Sequence, residues 1–332
     1  MPRGNCLSLD WQAGETAEAG SLPCHVGPAK KSVSLSPIRC DRGSSCPGSV
    51  RPLRRRPSCC WPFRFIVRDG TLALNLGDSE NGLGPARIAT NRSSIVLEGP
   101  RARLVTLWRG LELDALGGDL WNEGSLTLLG GAVLQTQKVA NAGRLEVGAG
   151  SVLRSAGLYQ WDEPAGRPQP SAWLSGTVEG AEIWLQGGRV SAGAEDEVGS
   201  VHLVSPSASF GAALLLDIAG ADAHDRIHVS GPLGLSGSLY ADFDAAPEGP
   251  GTWRFLTAEG GIGGSFASVS SNLDPGQYRV AARYGDNFVD LVVSAVPEPG
   301  SWALALAGLG LLGMRELRRR AVSPLREAIH EA

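Results

Sequence analysis

The chain has 332 residues, 45 of them glycine, and 30 Lys/Arg against 34 Asp/Glu give a formal net charge of −4. That charge is unevenly laid out, with a basic surplus up to Arg68 and an acidic remainder in which lysine is almost absent. Such a body offers no basic patch for nucleic acid, and its many short apolar runs bounded by glycine point to strands rather than helices.

Residues 1–60 are rich in Pro, Ser, Gly and Arg and hold all six cysteines: Cys6, Cys24, Cys40, Cys46, Cys59 and Cys60. The rest of the chain has none, so no disulfide framework is expected to hold the body. The spacing of Cys40, Cys46, Cys59 and Cys60 matches no recognised ligand pattern. No apolar core of signal-peptide length follows a basic start, so this segment is not expected to be a secretory leader. The expectation is disorder over residues 1–60, with the natural start lying elsewhere.

From residue 61 to 205 the pattern changes to short apolar strands with glycine breaks. Asn122–Leu134 (NEGSLTLLGGAVL) and Asn141–Leu153 (NAGRLEVGAGSVL) align at a constant offset of 19, and Gly176–Val190 is a weaker echo. A repeat near twenty residues with alternating apolar positions predicts a short parallel β-solenoid, or β-helix, with equal positions stacked rung over rung. Leu126 and Leu128 are expected inside, and Ser125 and Thr127 outside. The Asn-x-Gly units are expected to turn the chain because both residues tolerate left-handed angles. A loop at Trp161–Pro170 (WDEPAGRPQP) interrupts the repeat. An exposed aromatic beside carboxylates suits sugar binding, so Trp161, Asp162 and Glu163 are the best binding candidates, against the plainer reading of an insertion. Trp121, Trp161 and Trp173 fall at different phases of a 19-residue repeat, so no tryptophan ladder is expected.

Between residues 206 and 295, seven strand-like runs separated by Gly, Pro and Asp turns predict a meandering, β-sandwich-like end module. Asp222, His224, Asp225 and His228 suggest a metal site, but on a strand neighbouring side chains diverge, so no metal is expected. The frame of these runs resembles the unit that closes the β-helical passengers of autotransporter-like proteins. That resemblance implies a cover over the open end of the solenoid.

The tail at 296–320, VPEPGSWALALAGLGLLGMRELRRR, has three parts. Val296, Pro297, Glu298 and Pro299 form a stiff extended segment, because proline lacks a backbone donor and restricts its neighbour. An uncharged run containing Trp302, Leu304, Leu306, Leu309, Leu311 and Leu312 follows, and then Arg315, Arg318, Arg319 and Arg320 cluster together. An apolar run with a basic flank predicts a single transmembrane helix with its arginines in the cytoplasm. The run is short, about 21 Å at 1.5 Å per residue. This order of parts resembles the PEP-CTERM sorting signal of exported Gram-negative bacterial proteins. The resemblance implies transient residence in the inner membrane and cleavage near the Pro-Glu-Pro by an exosortase-type enzyme. It further implies release to the cell surface or extracellular matrix, with exopolysaccharide as a partner. In this chain a further tail, residues 321–332, follows the arginines.

No HExxH, Walker loop or G-x-S-x-G elbow occurs. Gly308–Gly313 satisfies GxGxxG, but within an apolar run and without a preceding strand. Glu123 and Glu146, the acids of the two clear repeats, lie at different phases, whereas glycosidic cleavage needs two positioned carboxyls. The expected function is therefore an exported, non-enzymatic structural or adhesive protein, without cofactor. The rivals are a β-helical polysaccharide lyase or hydrolase and an autotransporter-type adhesin.

Overall fold

The computed structural model describes residues 34–35, 64–74, 86–195, 197–296 and 306–315. Among these residues the strands assemble into a ten-stranded, a thirteen-stranded and a three-stranded sheet.

The 19-residue offset is the height of one rung. Leu126 pairs in register with Leu145 and Leu128 with Val147 on one sheet. Val133 pairs with Val152 and Leu134 with Leu153 on the other, where Asn122 also meets Asn141. Both sheets are parallel through this region, which makes the body a β-solenoid. Its apolar columns run the length of the stack: Phe65, Ile95, Leu126, Leu145, Ala172, Val190, Leu214, Leu239 and Val269 lie one above the next. Stacked aliphatic side chains of this kind exclude water along the whole interior, which supplies most of the driving force. Thr127 departs from expectation: it is only 7% exposed.

The Asn-x-Gly units work differently from the expectation. Neither Gly124 nor Gly143 has a left-handed angle. A Cβ on Gly143 would lie 2.1 Å from the Gly124 carbonyl oxygen, and one on Gly124 equally close to that of Ser93. Glycine is required because consecutive corners stack backbone on backbone. The asparagines point inward. Asn91, Asn122, Asn141 and Gln160 form a buried ladder in which each asparagine NH2 donates to the next rung's side-chain oxygen, at 2.8, 2.8 and 2.7 Å, and Gln160 ends it on the Gly187 carbonyl. Asn91, Asn122 and Asn141 also donate to the carbonyls of Ser125, Arg144 and Ser171. The column then turns apolar, through Leu185, Phe210 and Leu235.

The separate sandwich-like module expected at 206–295 is replaced by more solenoid. Ala213–Ile218 and Ser238–Phe243 extend the first sheet in parallel, as Arg226–Val229 and Gly251–Ala258 extend the second. The rungs simply lengthen: Thr177, His202, His228 and Thr257 form one register column, so the offset grows from 25 to 26 to 29. Each rung of that height admits its own turn, so no fixed period survives to be read. The run LGLSGSLYADF breaks at Gly237, which has φ +71°, into strands of different sheets. Within residues 206–295 the last two strands leave the parallel order. Tyr278–Tyr284 and Phe288–Ala295 form an antiparallel hairpin whose second strand covers Gly251–Ala258. That hairpin shields the terminal strand edge of this sheet.

Asp290 anchors the hairpin. It is buried, and its carboxylate accepts hydrogen bonds from Arg254 at 2.9 Å and Arg283 at 2.6 Å. Burial alone would push this carboxyl up, but the two guanidinium groups together hold it below its ordinary range.

Of the tail at 296–320, where a transmembrane helix is expected, Val296 and residues 306–315 are described. The helix covers residues 306–315, and among the described residues no helix is long and apolar enough to cross a membrane. At 1.5 Å per residue its ten residues reach about 15 Å, half of a hydrocarbon core. Of residues 1–60, expected to be disordered, Ser34–Leu35 is described and pairs antiparallel with Arg64–Arg68.

Candidate functional site

Two features stand apart from the packed body: an aromatic strip on one face and the carboxyl-terminal tail.

The strip arises from register. Trp121, Ala140, Tyr159 and Trp184 occupy one outward column of the thirteen-stranded sheet, on consecutive rungs. The column continues through Ser209, Gly234 and Gly263, so no large side chain closes the track beyond Trp184. Trp161, two residues after Tyr159, joins the strip by stacking on the Tyr159 ring at 5.5 Å and 6°. Trp184 meets the same ring edge-on at 5.8 Å. Offset stacking and edge contacts are the arrangements a ring quadrupole favours, so the three rings fix one another.

Tyr159 is held on its other side as well. Its hydroxyl donates to Glu182 at 2.5 Å, and that hydrogen bond is the first cause of a phenol pKa raised above its ordinary value, followed by burial. The ring reaches Glu182 by lying across Gly157, where an added Cβ would come within 2.5 Å of it. Gly157 and Glu182 are register partners, so the glycine leaves the gap that the tyrosine crosses. Trp121, Trp161 and Trp184 remain 44%, 45% and 40% exposed. Beside them runs a polar column of Asp119, Lys138 and Glu182.

The tryptophan reading from the sequence is thus half corrected. Trp173 is excluded: it is buried on the other sheet, with the Arg144 guanidinium 5.7 Å from its ring. Trp121 does belong to a ladder, together with Tyr159 and Trp184, which the 19-residue phase did not reveal because the next rung is 25 residues tall. Of the loop candidates, Trp161 faces solvent, while Asp162 accepts a hydrogen bond from Gly188 N–H and Glu163 pairs with Arg167. The two carboxylates hold the loop in place.

The four residues considered for a metal diverge. The His228 ring lies 4.9 Å from that of His202, tilted by 42°, and contacts Thr257 and Glu259. His224 Nε2 meets the Arg254 carbonyl oxygen. Asp225 is fully buried and accepts from Gly199 and Asp217 N–H and from Ser191 Oγ. Burial raises the Asp225 pKa, against the lowering effect of those donors. Asp222 contributes its carbonyl to Arg226. Among the described residues no group of three or more His, Cys, Asp or Glu is placed to hold a metal. Asp225, which ties Ser191 and Gly199 to the strand Ala213–Ile218, was missed as a structural residue because its partners come from two successive rungs, up to 34 residues away in the chain.

At the carboxyl end the body stops at a defined place. Phe288–Ala295 is the last strand, and Val296 N–H still donates to the Gln277 carbonyl at 2.8 Å. Leu306, Leu309, Leu311 and Leu312 on the following helix are all about two-thirds exposed, and Arg315 ends it. Pro297, Glu298, Pro299, Trp302, Leu304, Arg318, Arg319 and Arg320 lie outside the described residues, as do the six cysteines.

Fold and tail together define a parallel β-solenoid followed by a short apolar segment that does not pack into it. Comparison with protein families finds the PEP-CTERM protein-sorting motif over residues 295–320. The motif therefore starts on the final residue of the last strand, and the chain carries a signal for export toward the cell surface. No curated protein matches the chain.

Proposed function

We propose that this is a non-enzymatic surface or extracellular-matrix protein, whose solenoid is a structural or adhesive body delivered by its tail. The observation that carries this reading is the coincidence of the motif's first residue with the end of the fold. A cut near Pro297–Pro299 leaves both strands of the capping hairpin intact. Among the described residues the leucines of the tail helix stay exposed, and burying four such side chains in lipid is worth several kcal/mol, about 1.5–3 each. In this reading they enter the inner membrane transiently. The arginines from Arg315 to Arg320 stay on the cytoplasmic side, and an exosortase-type enzyme removes the segment. Exopolysaccharide is the proposed surrounding of the released body.

Fractionation of expressing cells with intact-mass measurement tests this. The expected product is an external species ending near Pro297–Pro299. A full-length chain confined to the cytoplasm would refute the sorting mechanism.

A further inference from the structure

We propose that the strip formed by Trp121, Tyr159, Trp161 and Trp184 binds an uncharged polysaccharide running along the solenoid axis; this rests on the reading of the body as an adhesive module and names its ligand.

Three observations lead there. The first is that Trp121, Trp161 and Trp184 are exposed while the half-buried Tyr159 ring fixes two of them, Trp161 and Trp184. Tyr159 is braced by Gly157, Glu182, Trp161 and Trp184, so the ordering entropy of the platform is lost on folding and not on binding. Exposed aromatic surface gathered into one patch on an otherwise polar wall marks a contact site.

Spacing is the second. Trp121 and Tyr159 are two rungs apart, about 9.6 Å, and Trp184 is one rung further. A polymer lying along the axis meets aromatic rings at separations of two rungs and then one, about 9.6 and 4.8 Å, without leaving the face. The apolar C–H face of a pyranose matches the electron-rich face of an indole. Ala140 fills the intermediate rung, and Ser209 and Gly234 extend the track, so a long chain is not blocked.

The third is charge. The column alongside offers Asp119, Lys138 and Glu182, groups that exchange hydrogen bonds with hydroxyls. Glu179, three residues before Glu182, is neutralised by Arg154 at 2.8 Å. Carboxylates at the track repel a uronate polymer or a nucleic acid backbone, which would need a basic surface. The mixture of charges also interrupts the continuous apolar surface that a lipid face would require.

Affinity electrophoresis of the full-length chain in mild detergent, through gels containing hydroxyethylcellulose or polygalacturonate, tests the assignment. Retardation is expected with hydroxyethylcellulose. The double variant W161A/W184A should weaken it at least about tenfold, the scale of a lost aromatic stacking contact. Leu111→Ala, at an exposed leucine on the three-stranded sheet, should leave it unchanged. Gly157→Ala, which removes no aromatic group, should weaken it by dislodging Tyr159. Far-UV circular dichroism and thermal melting keep a folding failure apart from a binding loss. Absence of retardation by hydroxyethylcellulose overturns the assignment, as does undiminished retardation of W161A/W184A or retardation by polygalacturonate alone. Self-association lost in W161A/W184A, without glucan binding, assigns the face to a second copy and overturns it equally. Tail processing is read separately by intact mass, so an external, processed protein that ignores the glucan sinks only the ligand.

Discussion

Replacing Asn141 by leucine probes the buried ladder where it is most connected. The Asn141 side chain accepts from Asn122 at 2.8 Å and donates to Gln160 at 2.7 Å and to the Ser171 carbonyl at 3.0 Å. Leucine is close in volume, and Leu185 already occupies this column two rungs on, so no large cavity or clash is introduced. The cost is then polar. Three hydrogen bonds contribute about 1 kcal/mol each, and the fully buried Gln160 Oε1 loses its donor, for about 1–3 more. The expected destabilisation is about 4–6 kcal/mol, measured as a shift of the urea midpoint at unchanged slope. Adding Gln160→Leu removes the stranded acceptor, so the double variant should fall short of additivity by about 1–2 kcal/mol. A loss under about 1 kcal/mol for Asn141→Leu, or full additivity in the double variant, refutes the ladder as a stabilising device.

Gly143→Ala should cost several kcal/mol, about 2–4, because its Cβ meets a stacked carbonyl oxygen that cannot turn away; the same urea titration measures it. By contrast Gly150→Ala, where a Cβ meets open space but φ is +73°, should cost only about 1–2 kcal/mol. The Asp290 carboxyl is held low in the fold, so its contribution is present above the unfolded carboxylate range and is lost as pH falls through its folded pKa. Asp290→Asn should therefore cost about 1–2 kcal/mol near neutral pH, screened because both arginines are half-exposed, and nothing in strong acid. Asp225 has the opposite sign: its raised pKa gives a contribution present below the unfolded value and lost as pH rises through the folded one. Melting curves across pH 2–7, for the chain and for Asp290→Asn, read both slopes. Deleting residues 297–320, which leaves the last strand and the Val296 N–H bond in place, should leave the body's thermal transition unchanged while abolishing delivery to the surface, scored by fractionation.

Much of this molecule was legible in its residues, and what was not has a common cause. The rung spacing could be read because Leu126/Leu145 and Val133/Val152 repeat both chemistry and offset, and a parallel stack places like residues together. The sorting tail could be read because its three parts are contiguous and its chemistry needs no folding. The later rungs could not, since strands alone do not state their partners. Arg226–Val229 looks the same whether it pairs antiparallel with a neighbour or parallel with Ser200–Val204 a whole rung earlier. Asn122 and Gly124 were recognised as special for the wrong reason, because local angles are a property of the chain whereas close stacking is a property of two turns.

The sequence by itself determined a β-rich body, one rung height and a motif that marks the chain for export. Only the tertiary structure decided that Trp121, Tyr159 and Trp184 share a face. Rungs of 19 and 25 residues bring together positions that no constant period connects. The parallel hydrogen-bond register, which aligns backbones regardless of how long each intervening turn is, is the physical reason.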